Sequence, residues 1–365
     1  MIDSHCHPVT AHGGPLDLAG IHIELAGDAA QQAQRAAAAP SRLCHELLAV
    51  RLAQHLGCEV EELPAARDRA SQDWPRYCQE LLAAANLTGL VLDPGWDPTA
   101  ATASAESLAT LTGCAVRPIW RLEPLVDRLI EAGAGATEIL STVEQAVRDA
   151  PQQGYRGLKT IAAYRTGLAI DPAATLAEAA ASLTVPAAGP VRRRGKALRD
   201  LLVRRMLGWA AELALPIQIH TGFGDCEIRL PEANPLLLEE LLRTPEGQAA
   251  TVVLIHGAYP WHEELAYLTV AKPNVHAELS MFNIYAPATV ADRLERVLEL
   301  APAARVLCGT DGHGAPESLW FAALVIQEAW VDVRQRWARR GARAAWLEGV
   351  ESAIFEENTR RLYGF

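Results

Sequence analysis

Asp3-Ser4-His5-Cys6-His7-Pro8 stands at the start of this chain, directly after Met1 and Ile2. Residues two apart on a strand share a face. If residues 2–5 form a strand, His5 and His7 project together at its end and Cys6 projects to the other side. Two imidazoles converging at a strand end can chelate a divalent metal. A lone pair of histidines at this spacing is a weak sign, since such pairs are common on loops. Its weight comes from the later runs. The run 216–220 ends in His220, 251–256 ends in His256, and 305–311 ends in Asp311. Gly222, Gly257 and Gly312 follow closely and let the chain turn away.

Working outward, eight short apolar or β-branched runs fall at residues 2–5, 89–93, 115–121, 157–162, 216–220, 251–256, 274–279 and 305–311. Most are separated by stretches with helical periodicity, such as 198–213 and 235–242. Strand–helix alternation implies parallel strands joined by helical crossovers. Eight such units predict an α/β fold, a distorted TIM (β/α)8 barrel, over an open doubly wound sheet. The open sheet gives no reason for polar residues to end so many strands. Parallel barrel strands all end on one face, so His5, His7, His220, His256 and Asp311 would gather at one mouth as a metal site. Residues 1–365 read as a single barrel domain. Two stretches exceed a minimal barrel: 9–75, with a helical piece at 42–55, and the Ala- and Pro-rich 171–190. Long excursions on barrels are often lids or caps, so an inserted helical lid region is expected. The alanine runs 36–39 and 179–181 read as helix.

Half of the 365 residues are apolar, enough for a large core. Lys and Arg number 33 against 44 Asp and Glu, and the net charge of −11 disfavours a nucleic-acid surface. The basic run Arg192, Arg193, Arg194, Lys196 and Arg199 has no aromatic interleaved to stack bases and reads as a solvated helix start. Seven widely spaced cysteines without a CxxC pair indicate neither a zinc ribbon nor a disulfide scaffold. Reduced thiols in a cytoplasmic protein fit best. The N-terminus lacks a basic start and an apolar h-region, and no apolar run is long enough for a bilayer. The expected partner is a small-molecule substrate, with no nucleic acid and no membrane, and a homo-oligomer is left open. Neither a GxSxG elbow nor a P-loop occurs.

In the stretches 2–8, 157–165, 218–225, 255–260 and 309–313 and the terminal 357–364, the chain resembles the amidohydrolases. Within them it is similar to the amidohydrolase-related group of metal-dependent hydrolases and non-oxidative decarboxylases. It looks closest to the branch found alone or fused ahead of a glutamine-synthetase-like domain. The resemblance covers nearly the whole chain and is specific for the superfamily, not for a reaction. It implies His5, His7 and His220 on the metal, with Asp311 a further ligand or the general base. It implies that His256 is a second-metal ligand or an uncoordinated catalytic imidazole. Lys159 would either be carboxylated and bridge two metals or stay a cation near the substrate, and the single-metal form is preferred. The implied cofactor is then one divalent ion per chain, zinc or else manganese. The Ala-rich insertion at 171–190 departs from typical members.

Elementary chemistry agrees with that placement. A divalent ion lowers the pKa of a water toward neutrality. Asp311 can take the proton and pass it to a leaving group, and His256 can donate a hydrogen bond to a developing oxyanion. Tyr164 and Arg165 follow the fourth strand, Arg121 and Glu123 end the third, and Asp93 ends the second. Tyr164, Arg165 and Arg121 are candidates for substrate binding, because a guanidinium fork suits a carboxylate. A salt bridge to a loop carboxylate is the competing reading for Arg165. Trp96, Tyr259, Trp261, Phe282 and Tyr285 could line a pocket, although packing explains each of them as well. His12, His22 and His313 could reach the mouth from loops, and His45 and His55 sit in a helical stretch. The expectation is a metal-dependent hydrolase that attacks an amide-type C–N bond of a small carboxylate-bearing substrate. The branch suggests a γ-glutamyl-like amide. The rivals are a non-oxidative decarboxylase using the same groups and a non-catalytic binding protein on the same barrel.

Overall fold

The computed structural model describes residues 1–21, 29–95, 102–184 and 191–365. His22, Trp96 and residues 185–190 lie outside the described residues.

Each predicted strand forms. β1 is Ile2–Cys6, β2 Gly89–Leu92, β3 Ala115–Pro118, β4 Trp120–Arg121, β5 Leu158–Thr160, β6 Ile217–His220, β7 Val252–Ile255, β8 Val275–Leu279 and β9 Val306–Cys308. Every paired neighbour runs parallel, in two ladders, β1 to β3 and β4 to β9. β3 and β4 are halves of the third strand. Pro118 has no N–H to continue the ladder, so pairing passes from β2 to β5 at this point. Ile119 N–H bonds the Leu92 carbonyl at 2.8 Å and joins the halves. The ring closes beyond β9: Asp311 N–H donates to the His5 carbonyl and His7 N–H to the Gly312 carbonyl, each at 2.8 Å. This is the expected distorted (β/α)8 barrel.

Strand alternation sorts the core into two. Cys6, Leu90, Leu92, Ile217, Ile219, Val252 and Leu254 belong to the large core packed with the helices. Their sequence neighbours Val91, Val253 and Ile255 join Ile119, Leu307 and Tyr363 in a second, smaller core. Tyr363 comes from the helix Asn358–Tyr363. Its hydroxyl accepts from Gln218 Nε2 at 2.8 Å, and that nitrogen also donates to the Ser4 carbonyl at 2.9 Å.

Lys196–Glu212 and Leu43–Leu56 form helices close to the expected bounds. Residues 235–242 do not. They make two short 3-10 turns, Pro235–Leu238 and Leu241–Arg243. Pro235 and Pro245 bracket a stretch too short to sustain a helix. The basic run is also less solvated than its sequence suggests. Arg199 is buried and meets Asp127 at 2.6 Å, and Arg192 meets Glu227 at 2.5 Å. Only Arg194 and Lys196 of this run are exposed.

The insertion 9–75 carries the helices Ala29–Ala38, Leu43–Leu56 and Leu63–Ala70. Arg67 Nε and the Tyr77 hydroxyl both donate, at 2.8 Å, to Oε1 of the buried Glu317. Glu317 starts the helix Pro316–Arg339, so the insertion is anchored immediately downstream of Asp311. The helix Leu176–Thr184 lies against Lys196–Glu212 and Ala136–Asp149. Among the described residues no disulfide joins the cysteines, and no helix is long and apolar enough to cross a membrane.

One carboxylate sits at the barrel closure. Asp3 Oδ1 accepts Thr310 N–H at 2.9 Å and His5 N–H at 3.1 Å, and Oδ2 accepts the Thr310 hydroxyl. Burial pushes Asp3 up to about 7 against those donors. Asp3→Ala would leave two buried N–H groups without an acceptor, at about 1–3 kcal/mol each. We expect it to lower the unfolding free energy by at least about 2 kcal/mol in urea titrations. An unchanged midpoint would remove the latch from the account.

A candidate metal centre at the barrel mouth

His5 Nε2 and His7 Nε2 each lie 3.3 Å from Asp311 Oδ1. The three candidate ligand atoms fall within 4.8 Å of one another. Ligands about 2.1 Å from a tetrahedral ion stand about 3.4 Å apart, so both measured edges have the right length. The buried Asp311 Oδ1 receives no hydrogen bond. His7 Nδ1 bonds the Asp93 carbonyl at 3.0 Å. A carbonyl can only accept, so Nδ1 carries a proton, and Nε2 is the nitrogen left for a metal. Two imidazoles and a carboxylate therefore fit a divalent ion. Burial raises the Asp311 carboxyl, but His256, His5 and His7 outweigh it and hold the group well below the usual carboxylate range. Burial, then Lys159, lowers His5 to about 3.

His256 and His220 adjoin the cluster. The His256 ring centroid lies 5.3 Å from that of His5 and 4.4 Å from that of His220. Burial lowers both well below the ordinary histidine value. His220 Nε2 bonds the Phe223 carbonyl at 3.1 Å, which holds this ring outside the three-ligand group. Gly222, at φ 76, lets the loops after β6 and β7 touch, since a Cβ there would lie 2.5 Å from the Ala258 carbonyl carbon. His256 and Asp311 themselves have φ of 70° and 57°. Such backbone costs of order 1–3 kcal/mol per residue and collects at functional sites.

Lys159 is fully enclosed, its Nζ 3.2 Å from His5 Nε2 and 4.0 Å from Asp93 Oδ2. Burial lowers it to about 8, with Asp93 opposing. Arg121 pairs with Asp93 through Nε and Nη2. Burial raises Asp93, but Arg121 outweighs it and leaves the carboxyl far below its ordinary value. Tyr164 packs edge-on against His220, ring centroids 4.6 Å apart, and its hydroxyl accepts Asp225 N–H at 3.0 Å. Arg165 is turned elsewhere. It pairs with Asp127 at 2.9 Å, and Arg199 shares that carboxylate. Glu123 accepts the Thr160 hydroxyl and Ile161 N–H and so braces the end of β5. Tyr285, Phe223 and Tyr259 form an aromatic row, and Phe282 packs against His262. His313 Nδ1 bonds the Asp311 carbonyl at 3.2 Å. His12 is exposed, and His55 packs against Trp320.

Sequence reasoning missed Asp3, Glu278 and Ser280. Glu278 accepts the Ser4 hydroxyl at 2.9 Å, His256 N–H at 3.1 Å and the Ser280 hydroxyl at 2.7 Å. Burial pushes it up to about 8 against these donors. The available signal was parity: His276, Glu278 and Ser280 alternate along an otherwise apolar strand.

The family model for amidohydrolases matches residues 2–365. The protein fluG of Emericella nidulans is 32% identical over 222 residues, which cover 57% of this chain and 25% of that much longer protein. A Lactobacillus casei structure described as a metal-dependent hydrolase superposes with TM-score 0.88 at 26% identity, covering 100% of this chain and 94% of its own. Uronate isomerase from Thermotoga maritima shares the fold at TM-score 0.67 and 13% identity, covering 100% and 94%.

Burial holds His5, His220, His256, His262, His276 and His313 below the ordinary value and so favours their neutral form in the folded chain. Unfolded, each titrates near pH 6.5. Between about pH 6.5 and 4.5 the unfolded chain therefore takes up more protons at these six, and stability falls with falling pH. Asp3, Asp200 and Glu278, raised by burial, act in the opposite sense but are three against six. Denaturant titrations of metal-free protein should show the midpoint dropping on acidification across this window. A rising midpoint would contradict the neutral-imidazole cluster.

Proposed function

The chain belongs to the amidohydrolase family, and on that premise we propose that it is a metal-dependent hydrolase opening an amide-type C–N bond of a small carboxylate-bearing substrate. The observation that carries this reading is the convergence of His5 Nε2, His7 Nε2 and Asp311 Oδ1. These three would hold one divalent ion, zinc in the first place, with His220 as fourth ligand once its ring gives up the Phe223 carbonyl. When bound, the ion supplies a water acidified toward neutrality and polarises the carbonyl. Asp311, ionised at neutral pH, takes a proton and delivers it to the leaving nitrogen. His256 approaches from beside His5 and His220 as the second catalytic group. Lys159 stays an uncarboxylated cation, and its Nζ, 3.2 Å from His5 Nε2 and 4.0 Å from Asp93 Oδ2, turns to Asp93 when that imidazole nitrogen takes the ion.

Arg121 pairs with Asp93 through Nε and Nη2, and in this reading its Nη1 and the Tyr164 hydroxyl take the substrate carboxylate. Arg165 has Asp127 as its carboxylate and acts as a brace. The insertion 9–75 serves as cap: Arg42, at the start of the helix Leu43–Leu56, stands 5.9 Å from the Tyr285 ring. A cavity of about 400 Å³ lies between them and Pro287–Thr289.

The test combines metal analysis with a panel of N-acyl and γ-glutamyl amino acids and carboxylated aromatic acids. Amine release supports the hydrolase. CO₂ release without amine moves the chain to the decarboxylases, and no turnover without stoichiometric metal leaves a binding protein. His7→Ala should lose the metal. Asp311→Asn keeps one oxygen for the ion and should retain it, while turnover falls by roughly two to four orders of magnitude. Loss of metal from Asp311→Asn would make Asp311 chiefly a ligand.

A further inference from the structure

We infer that Ser280 and Glu278 are positioning residues that hold His256 as its Nδ1–H tautomer, so that His256 presents a bare Nε2 to the mouth. That nitrogen is a hydrogen-bond acceptor, not the donor to an oxyanion. The inference rests on the reading of His256 as a catalytic imidazole in the proposed hydrolase.

The bonds form one directed chain. His256 Nδ1 lies 2.9 Å from Ser280 Oγ, and Ser280 Oγ lies 2.7 Å from Glu278 Oε2. The same Oε2 accepts the backbone N–H of His256 at 3.1 Å, and Oε1 accepts the Ser4 hydroxyl at 2.9 Å. The backbone N–H of His256 can only donate, so Oε2 is the accepting oxygen of Glu278 and takes the Ser280 hydroxyl proton as well. In the neutral acid that burial favours, the proton belongs on Oε1, facing Ser4, and Oε2 stays the acceptor. A hydroxyl has one proton. Ser280 gives it to Glu278 and can only accept from His256, so Nδ1 must carry the imidazole proton.

The surroundings over-determine this arrangement. Glu278 Oε2 grips His256 at its backbone and, through Ser280, at its ring. It does so at a residue held at φ 70°, where the chain is not at rest. Oε1 in turn fills the space beside Gly309, where a Cβ would lie 2.3 Å away. With Nδ1 committed to Ser280, Nε2 is the free nitrogen of a ring that packs beside His220 and His5. A neutral ring in this state cannot donate from Nε2. It can orient a water or a substrate N–H by accepting from it.

The test is the ¹⁵N spectrum of histidine-labelled protein, metal-loaded and metal-free, with His256 assigned by difference against His256→Gln. We expect a protonated Nδ1 and an unprotonated Nε2. Ser280→Ala should lose that preference and Ser280→Thr should keep it, both with unchanged metal content. On an amide substrate Ser280→Ala should lower kcat about 10- to 100-fold at constant KM, with rescue in Ser280→Thr. A protonated Nε2 in the parent protein overturns the inference, and this measurement needs no variant to fold. So does a tautomer unmoved in Ser280→Ala. The spectrum reads the tautomer whatever the reaction is. Failure to cleave amides would sink the hydrolase and leave the relay standing, whereas a protonated Nε2 would sink the relay and leave the hydrolase.

Discussion

The carboxylate of Asp3 holds together two ends of the chain that lie 307 residues apart in sequence. It accepts from His5 N–H on one side and from Thr310 N–H and hydroxyl on the other. Its partners flank the two halves of the metal centre, since His5 is itself a proposed ligand and Asp311 follows Thr310 directly. Thr310 Oγ1 passes the restraint on by accepting Gly312 N–H at 2.9 Å. Sheet closure and site assembly are therefore one event. The hydrogen bonds that complete the ring also bring an anionic oxygen against two imidazoles.

Around that junction the interior carries charge that an apolar core would reject. Arg121 is matched to Asp93, Asp93 turns its backbone carbonyl to His7, and Lys159 lies between Asp93 and His5. Burying an unpaired charge is expensive, and each of these groups has a partner of opposite sign or a lone pair facing it. The cluster at Asp311 is different: its buried Oδ1 stands 3.3 Å from His5 Nε2 and from His7 Nε2 and has no hydrogen-bond partner. Asp311 Oδ1 is a buried anionic oxygen without a donor, and that position is where a cation gains most.

Much of this was legible in the sequence. The eight strands, their parallel order and the shared face of His5 and His7 follow from alternation and from polar residues at strand ends. Cys6 packs into the outer core, as parity required. What stayed hidden depends on partners that no pattern names. Glu278 and Ser280 could be placed on a face but not connected to His256, which belongs to the preceding strand end. Arg165 is polar and follows a strand like its neighbours, yet Asp127, on the next-door helix, claims it. His220 carries the expected residue type, but a local carbonyl holds its ring. The stretch 235–242 has helical spacing without helical length, and the two prolines decide against it.

The proposed ligand set is divided between the first strand and the turn after the last, and this has a kinetic meaning. No fragment that folds alone contains both halves, so a metal finds its native geometry only in a ring already closed. Closing so long a separation is entropically demanding and comes late in assembly. An ion that binds only the finished fold stabilises it by mass action. Contacts absent from the transition state leave the folding rate alone and slow unfolding instead. A metal held at His5, His7 and Asp311 would thus be a lock fitted after assembly, setting how long the barrel lasts and not how fast it forms.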